Sequence, residues 1–593
     1  MSTEIEVGMN GSQVRNLINS NFDTLESIDR FISVTEYGAV GDGETNDRIA
    51  IKNCIEAANG RTIYFPPGNY KITGGLTVIT EDPVMIYGEN AVLIGDSLSN
   101  GVGVLAIQSI VGSADLLLAD AVSGDYLLTP TTPASFVTGD FILIKDDVIL
   151  RSLNGNNIYN GELLQILSIT DGQIRLHNPV LGNYSVSENI RISKVNRNPV
   201  IIYGLTIIGD TGSNKDIQGI QTINRNNVTI FNNIISKCGL GGINITGCLN
   251  GFIFNNKAFD CYKSGNGYGI NVNASKNISV YSNNVTECRH CIVTGGSYPN
   301  YHVNIFSNIL SSSTVVLPAS NGAISTHYFD YFLTIRDNVI FGDGIFAVGR
   351  SCLISGNTIY ATEPSQLGIG VYFHPQYKPS VVIENNHLVR LRDDIAGSNG
   401  IYLDVEKDNV TVDKIIIQNN TIDGFNQNIT LSVSGLTGFK INNLVIKDNN
   451  FYCNAAINDF VSNDIEITTA VIEGNIFKSP FNFVVDSIGS LSFKNNRMVQ
   501  SIAGKLLYLS AITHAIVSGN VFDSNTDDES VTIANITTLI FTDNIIKNNT
   551  GANAILLDTV TNLVNQGNSI DNCSNAISKV SITNDQSGTN FTY

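Results

Sequence analysis

The sequence contains no tryptophan, and charged residues make up only 15% of its 593 positions. Basic residues are the scarcer sign, 34 Lys and Arg against 53 Asp and Glu, for a formal charge of −19. A field of that sign repels nucleic acid and anionic membrane surfaces, so neither is expected as a partner, although a local cationic groove stays compatible with it. No apolar run reaches the ~20 residues that span a bilayer, which argues against membrane insertion. The opening MSTEIEVGMN lacks a basic stretch followed by an apolar one, so no Sec leader is expected. Nine cysteines in a chain this long do not make a disulfide scaffold. Cys288 and Cys291 form a lone CxxC with no second pair at metal spacing, so buried thiols are expected, and no metal or other cofactor.

What is abundant is glycine, at 53 residues, together with recurring Ile, Val, Asn, Ser and Thr, a mixture suited to short strands joined by polar turns. The length exceeds the one-core size of roughly 250 to 300 residues, so the chain is either several domains or one elongated repeat. A repeat is visible from residue 228 onward: an apolar residue, two variable ones, Asn, one variable residue, and another apolar one. The Asn falls at Asn233, Asn256, Asn283, Asn308, Asn338, Asn357, Asn386, Asn420, Asn449, Asn475, Asn496, Asn520, Asn544 and Asn568, about 26 residues apart on average. A period between 20 and 50 means a solenoid, and the period-2 alternation around each Asn makes its coils strands, stacked about 4.8 Å apart. Asparagines at one turn of every coil can then bond to the coil above and below, as scaffold. Cys238, Cys261 and Cys288 each follow a repeat Asn by five residues and should stack too.

Residues 31 to 72 carry Tyr37, Gly38, Ala39, Gly41, Asp42, Gly43, Asp47, Ala50, Ile51, Tyr64, Phe65, Pro66, Pro67, Gly68 and Tyr70 in the order loop, helix, turn. This resembles the opening of the pectate-lyase-like superfamily, which implies a right-handed single-stranded parallel β-helix. Asp47 is expected to cap a helix over 48 to 58 that covers the open end of the stack. Upstream, Ile18, Leu25 and Ile28 with Asn21 between them fit a short a/d seam, open to three-fold pairing or to packing on its own chain. The text from Gly11 to Phe22 resembles the attachment segments of phage tail proteins. Together the two resemblances imply a phage tailspike: a homotrimer bound through its N-terminus to a virion tail or baseplate, acting extracellularly at a host surface. The organisation expected is all-β: an attachment and trimerisation helix at 1–30, the β-helix start with its capping helix at 31–98, a small inserted β domain at 99–199, the main β-helix at 200–580, and a tail at 581–593.

Alternation assigns the faces of the strand that follows each Asn turn. If Ile401, Leu403 and Val405 point inward, then Tyr402, Asp404 and Glu406 point outward. The same argument exposes Tyr372 with His374, Phe346 with Arg350, and Ser325 with His327 on consecutive coils. In the resembled superfamily the substrate groove usually runs along this face. Without Trp, ring stacking on sugars falls to Tyr298, Tyr301, Tyr328, Tyr372 and Tyr402. Glu363, Asp393 and Asp394 lie on neighbouring turns and are further acid candidates.

The expected function is depolymerisation of a bacterial surface polysaccharide, capsule or O-antigen. Asp404 and Glu406, two residues apart on a strand and so about 6.6 Å apart at Cα, fit an endo-glycosidase pair, with Glu363, Asp393 and Asp394 as substitutes. A lyase acting on a uronate needs instead a base and a group that neutralises the carboxylate, and His327, His374, Tyr372 and Arg350 supply that alternative. A non-catalytic glycan-binding adhesin is the third reading.

Overall fold

The computed structural model describes residues 31–592 except 154, 210–215, 264, 313–321, 328–329, 363–366, 375–378, 392–397, 406, 434–435, 453–457, 479–480, 501–505, 525–530, 550–553 and 574–576. The helix expected within 1–30 lies outside these. The repeat folds as expected into a parallel β-helix, of about 18 turns. One 11-stranded sheet runs from Leu76–Ile79 to Gln427–Ser432, and a 36-stranded sheet forms the remaining faces. Isoleucine, valine and leucine from every coil fill one continuous core between them.

The asparagine ladder is present at all fourteen positions. Each Asn Nδ2 donates to the Oδ1 of the next rung at 2.9–3.1 Å, and Asn590 adds a final rung. The residue before each rung explains why the turn repeats. Asn232, Ser282, Asp337, Gly356, Asn385 and their equivalents all hold φ between +52° and +70°, a left-handed conformation that Gly, Asn and Asp tolerate better than bulky side chains. The left-handed residue turns the chain, and the Asn after it ties that turn to its neighbour. Cys238, Cys261 and Cys288 touch in a column and are free thiols.

Helix Arg48–Glu56 closes the first coil, but Asp47 does not cap it as expected. Its carboxylate instead accepts the backbone N–H groups of Val40 and Gly41 at 2.6 and 3.1 Å, because the glycine loop folds back over it. Strand Gly103–Gln108 still pairs within the β-helix. The chain then leaves it to build a six-stranded antiparallel unit between Asp115 and Val195 around its own apolar core, which includes Leu117, Ile142, Ile166 and Ile192. Buried Arg225 ties both ends of this excursion together, donating to Thr80 O, Asp82 O, Ser109 Oγ and Pro199 O. At the other terminus, strands Ile577–Asp585 and Phe591–Thr592 continue the stack.

Candidate functional site

The 11-stranded sheet receives the chain through a column of small residues. A Cβ on Gly219, Gly242, Gly344 or Gly368 would stand 1.8–2.7 Å from the carbonyl oxygen of the next glycine in the column, so only glycine lets these turns stack so closely. The strands that follow present one outer face. Register aligns Gly370 with Tyr402 and Thr430, and Tyr372 with Asp404 and Ser432. Asp404 Oδ2 lies 3.4 Å from the Tyr402 hydroxyl, and Asp404 Oδ1 accepts the Val405 N–H at 2.8 Å. Burial holds the Asp404 carboxyl above the usual carboxylate range, against the lowering effect of contacts from Val405, Tyr402 and Ser432. The Tyr402 and Tyr372 rings are 6.2 Å apart, and Tyr372 leans on Phe346 at 4.4 Å.

Not every outward residue is open to solvent. Phe346 is only 8% exposed, packed with Tyr301, Tyr331 and Val348 against Leu181 and Tyr372. Ser325 and His374 are likewise buried. Alternation orients these residues outward, but it cannot register the six-stranded unit, which folds down over this side. Tyr301 lies in that seam, its hydroxyl donating to Gly161 O at 3.3 Å and its ring stacked on Tyr331. Tyr298 accepts a hydrogen bond from Lys145 Nζ at 3.1 Å, and Arg151 Nη1 donates to His327 O at 2.8 Å. Arg350 sets its guanidinium over the Tyr331 ring. Glu406, Glu363, Asp393, Asp394 and Tyr328 lie outside the described residues.

The structure adds groups that strand alternation overlooked. Asn244 Nδ2 donates to Gln218 Oε1 at 2.6 Å, so the register row Gln218, Gly241, Tyr268, His290 shares the outer face with Asn244 and Asn271. Tyr268, His290 and His327 meet ring to ring, with centroids 5.2–5.9 Å apart. Burial keeps all three face histidines neutral, pushing His290 down to about 3 and His327 and His374 to about 4. Beside them, Asp330 is fully buried between Thr294 and Asn300, and burial raises its carboxyl to about 7. At the seam, Lys276 Nζ stands 3.9 Å from Glu162 Oε2, both side chains almost fully covered.

Residues 31–125 match a family described as rhamnogalacturonase A/epimerase, pectate lyase-like, and residues 114–196 match one described as K1 capsule-specific polysaccharide lyase, Rider domain. The capsule K1-specific depolymerase of Klebsiella phage K64-1 is 25% identical over 189 residues, 29% of this chain and 20% of that protein. The chain thus spans a fifth or less of the length of the first curated relatives it matches. Among solved structures, the tailspike gp61 of Pseudomonas phage phi297 is similar at a TM-score of 0.56 and 14% identity, over 78% of this chain and 82% of that one. The gp54 tailspike of Acinetobacter baumannii bacteriophage AP22, in complex with A. baumannii capsular saccharide, is similar at 0.50 and 14% identity, over 86% and 80%. The chain is a parallel β-helix with the fold of phage tailspikes, pectate-lyase-like over its first coils at residues 31–125 and interrupted by a segment that matches the Rider domain.

Proposed function

We propose that this protein is a phage tailspike that depolymerises a bacterial surface polysaccharide along the outer face of the 11-stranded sheet. The observation that carries this is Asp404: a half-buried carboxyl held above its ordinary range, flanked by the Tyr402 hydroxyl and aligned with Tyr372 on the next coil. A carboxyl whose hold on its proton is strengthened by burial can give that proton to a glycosidic oxygen, and the neighbouring tyrosine rings can stack on the sugar. Endo-hydrolysis is the first reading, with Glu406, Glu363, Asp393 or Asp394 as the second carboxyl. The similarity to tailspikes also supports a homotrimer on a virion tail, attached through its N-terminus.

Elimination on a uronate is the second reading. It is favoured by the neutral imidazoles of His327 and His374 near Arg151, and by the match of residues 114–196 to a capsule lyase's Rider domain. A neutral imidazole can take the proton beside a uronate carboxyl while a cation steadies the charge. Digestion of a panel of bacterial capsules and O-antigens tests both. New reducing ends without ultraviolet-absorbing unsaturated sugars mean hydrolysis, unsaturated ends mean elimination, and binding without either leaves an adhesin.

A further inference from the structure

Among the described residues the His290 ring makes one hydrogen bond, and its direction fixes the ring's chemistry. Nδ1 lies 2.7 Å from Gly322 O, and a carbonyl only accepts, so Nδ1 carries the proton. In the neutral ring Nε2 is therefore a bare acceptor. It is buried with no partner among the described residues, in a side chain with no solvent exposure. Two more polar atoms on adjacent coils of the same outer face share that condition, Asn271 Oδ1 and Ser325 Oγ. Buried acceptors without donors cost stability, and a ligand that supplies the missing hydrogen relieves that cost.

Among the described residues, Arg289, Arg151 and Lys407 act on His290, His327 and His374, three cationic side chains in a chain of net charge −19. Arg151 arrives from the six-stranded unit and is fixed at the site by its bond to His327 O. The His290 strand lies four coils before the Asp404 strand, about 19 Å along the axis at coil spacing. A long glycan lying in one groove can occupy both places.

We propose that Tyr268, Asn271, His290, Ser325 and His327, together with Arg151, form a distal subsite for an acidic sugar. The sugar's hydroxyls donate to His290 Nε2 and Asn271 Oδ1, displacing the His327 ring that packs against His290, and its carboxylate lies toward Arg151. This rests on the outer face being a glycan groove. It gives the six-stranded unit a role in recognition, since that unit contributes the arginine.

Isothermal titration of the full chain with methyl glucuronide and methyl glucoside tests this. The wild type should bind the glucuronide in preference to the glucoside. His290→Asn keeps a donor for Gly322 O but removes the Nε2 acceptor, and should weaken glucuronide binding about tenfold without lowering the melting temperature. Asn271→Ala should act in the same direction, which covers the case in which His290→Asn fails to fold. Arg151→Gln should erase the preference for the glucuronide. Undetectable glucuronide binding by the wild type, or equal affinity in folded His290→Asn, overturns the subsite. A wild type that binds glucuronide through His290 yet cleaves no polysaccharide would overturn the depolymerase reading alone.

Discussion

Tyr372 stands directly beside Asp404 in the register of the 11-stranded sheet, one coil away, while Tyr402 reaches the same carboxylate from two residues back along its own strand. If Asp404 gives its proton in the reaction, activity falls as pH rises through its elevated pKa. Asp404→Asn should then lower cleavage by about 10²-fold or more with an unchanged melting temperature. Tyr402→Phe removes a contact that lowers that pKa, so the alkaline limb of the rate profile should move to higher pH. Parental cleavage by Asp404→Asn would move the chemistry elsewhere on the face.

The ladder predicts a stability effect without a functional one. Asn386 Oδ1 accepts from both the N–H and the Nδ2 of Asn357, and its own Nδ2 donates to Ile354 O. Asn386→Ala strands these groups in the core turn, at about 1–3 kcal/mol or more in denaturant unfolding, while cleavage at low temperature persists. At the half-covered last rung, Asn590→Ala should cost less.

Asp330 makes stability pH-dependent in a direction opposite to the usual carboxylate. Its folded pKa of about 7 lies above the ordinary 3.8, so the folded state binds the extra proton between these values. The associated stability is fully present below the ordinary value and is lost as pH rises through about 7. Melting temperatures across that range should fall for the wild type, and the fall should flatten in Asp330→Asn.

The Lys276 and Glu162 pair holds the six-stranded unit to the coils. Both side chains are almost fully covered, so removing one charge leaves the other buried alone. Lys276→Met should destabilise by about 3–5 kcal/mol, and adding Glu162→Gln should recover much of that loss. Urea unfolding of both single variants and the double variant measures the coupling. Additive losses would mean that the two groups do not pair.

The histidine cluster and the ladder mark two ends of what strand patterning can convey. Each rung of the ladder is set by a left-handed residue followed by Asn, within one turn, so the pattern repeats in the text as often as in space. The capping signature at 37–70 is equally local, although Asp47, expected as the helix cap, braces the glycine loop instead. Alternation also identified Tyr402, Asp404 and Tyr372 as neighbours, because a strand's faces follow from parity once the inward isoleucines are known.

Parity ends where coverage begins. Phe346 points outward, yet it is covered where Leu181, encoded 165 residues earlier, packs against its cluster. The pairing of Glu162 with Lys276, the seat of Tyr301 against Gly161 and the arrival of Arg151 at His327 are likewise contacts between segments with no shared period. Alternation did not place Tyr268 and His290 on the outer face because each stands at the start of its strand, beside the glycine column, where simple alternation does not hold. The coil, its core and its turns were thus legible in the residues alone, because those repeat locally. Which outward residues are covered and which are joined emerged only on folding, because burial over the face is set by the packing of distant segments.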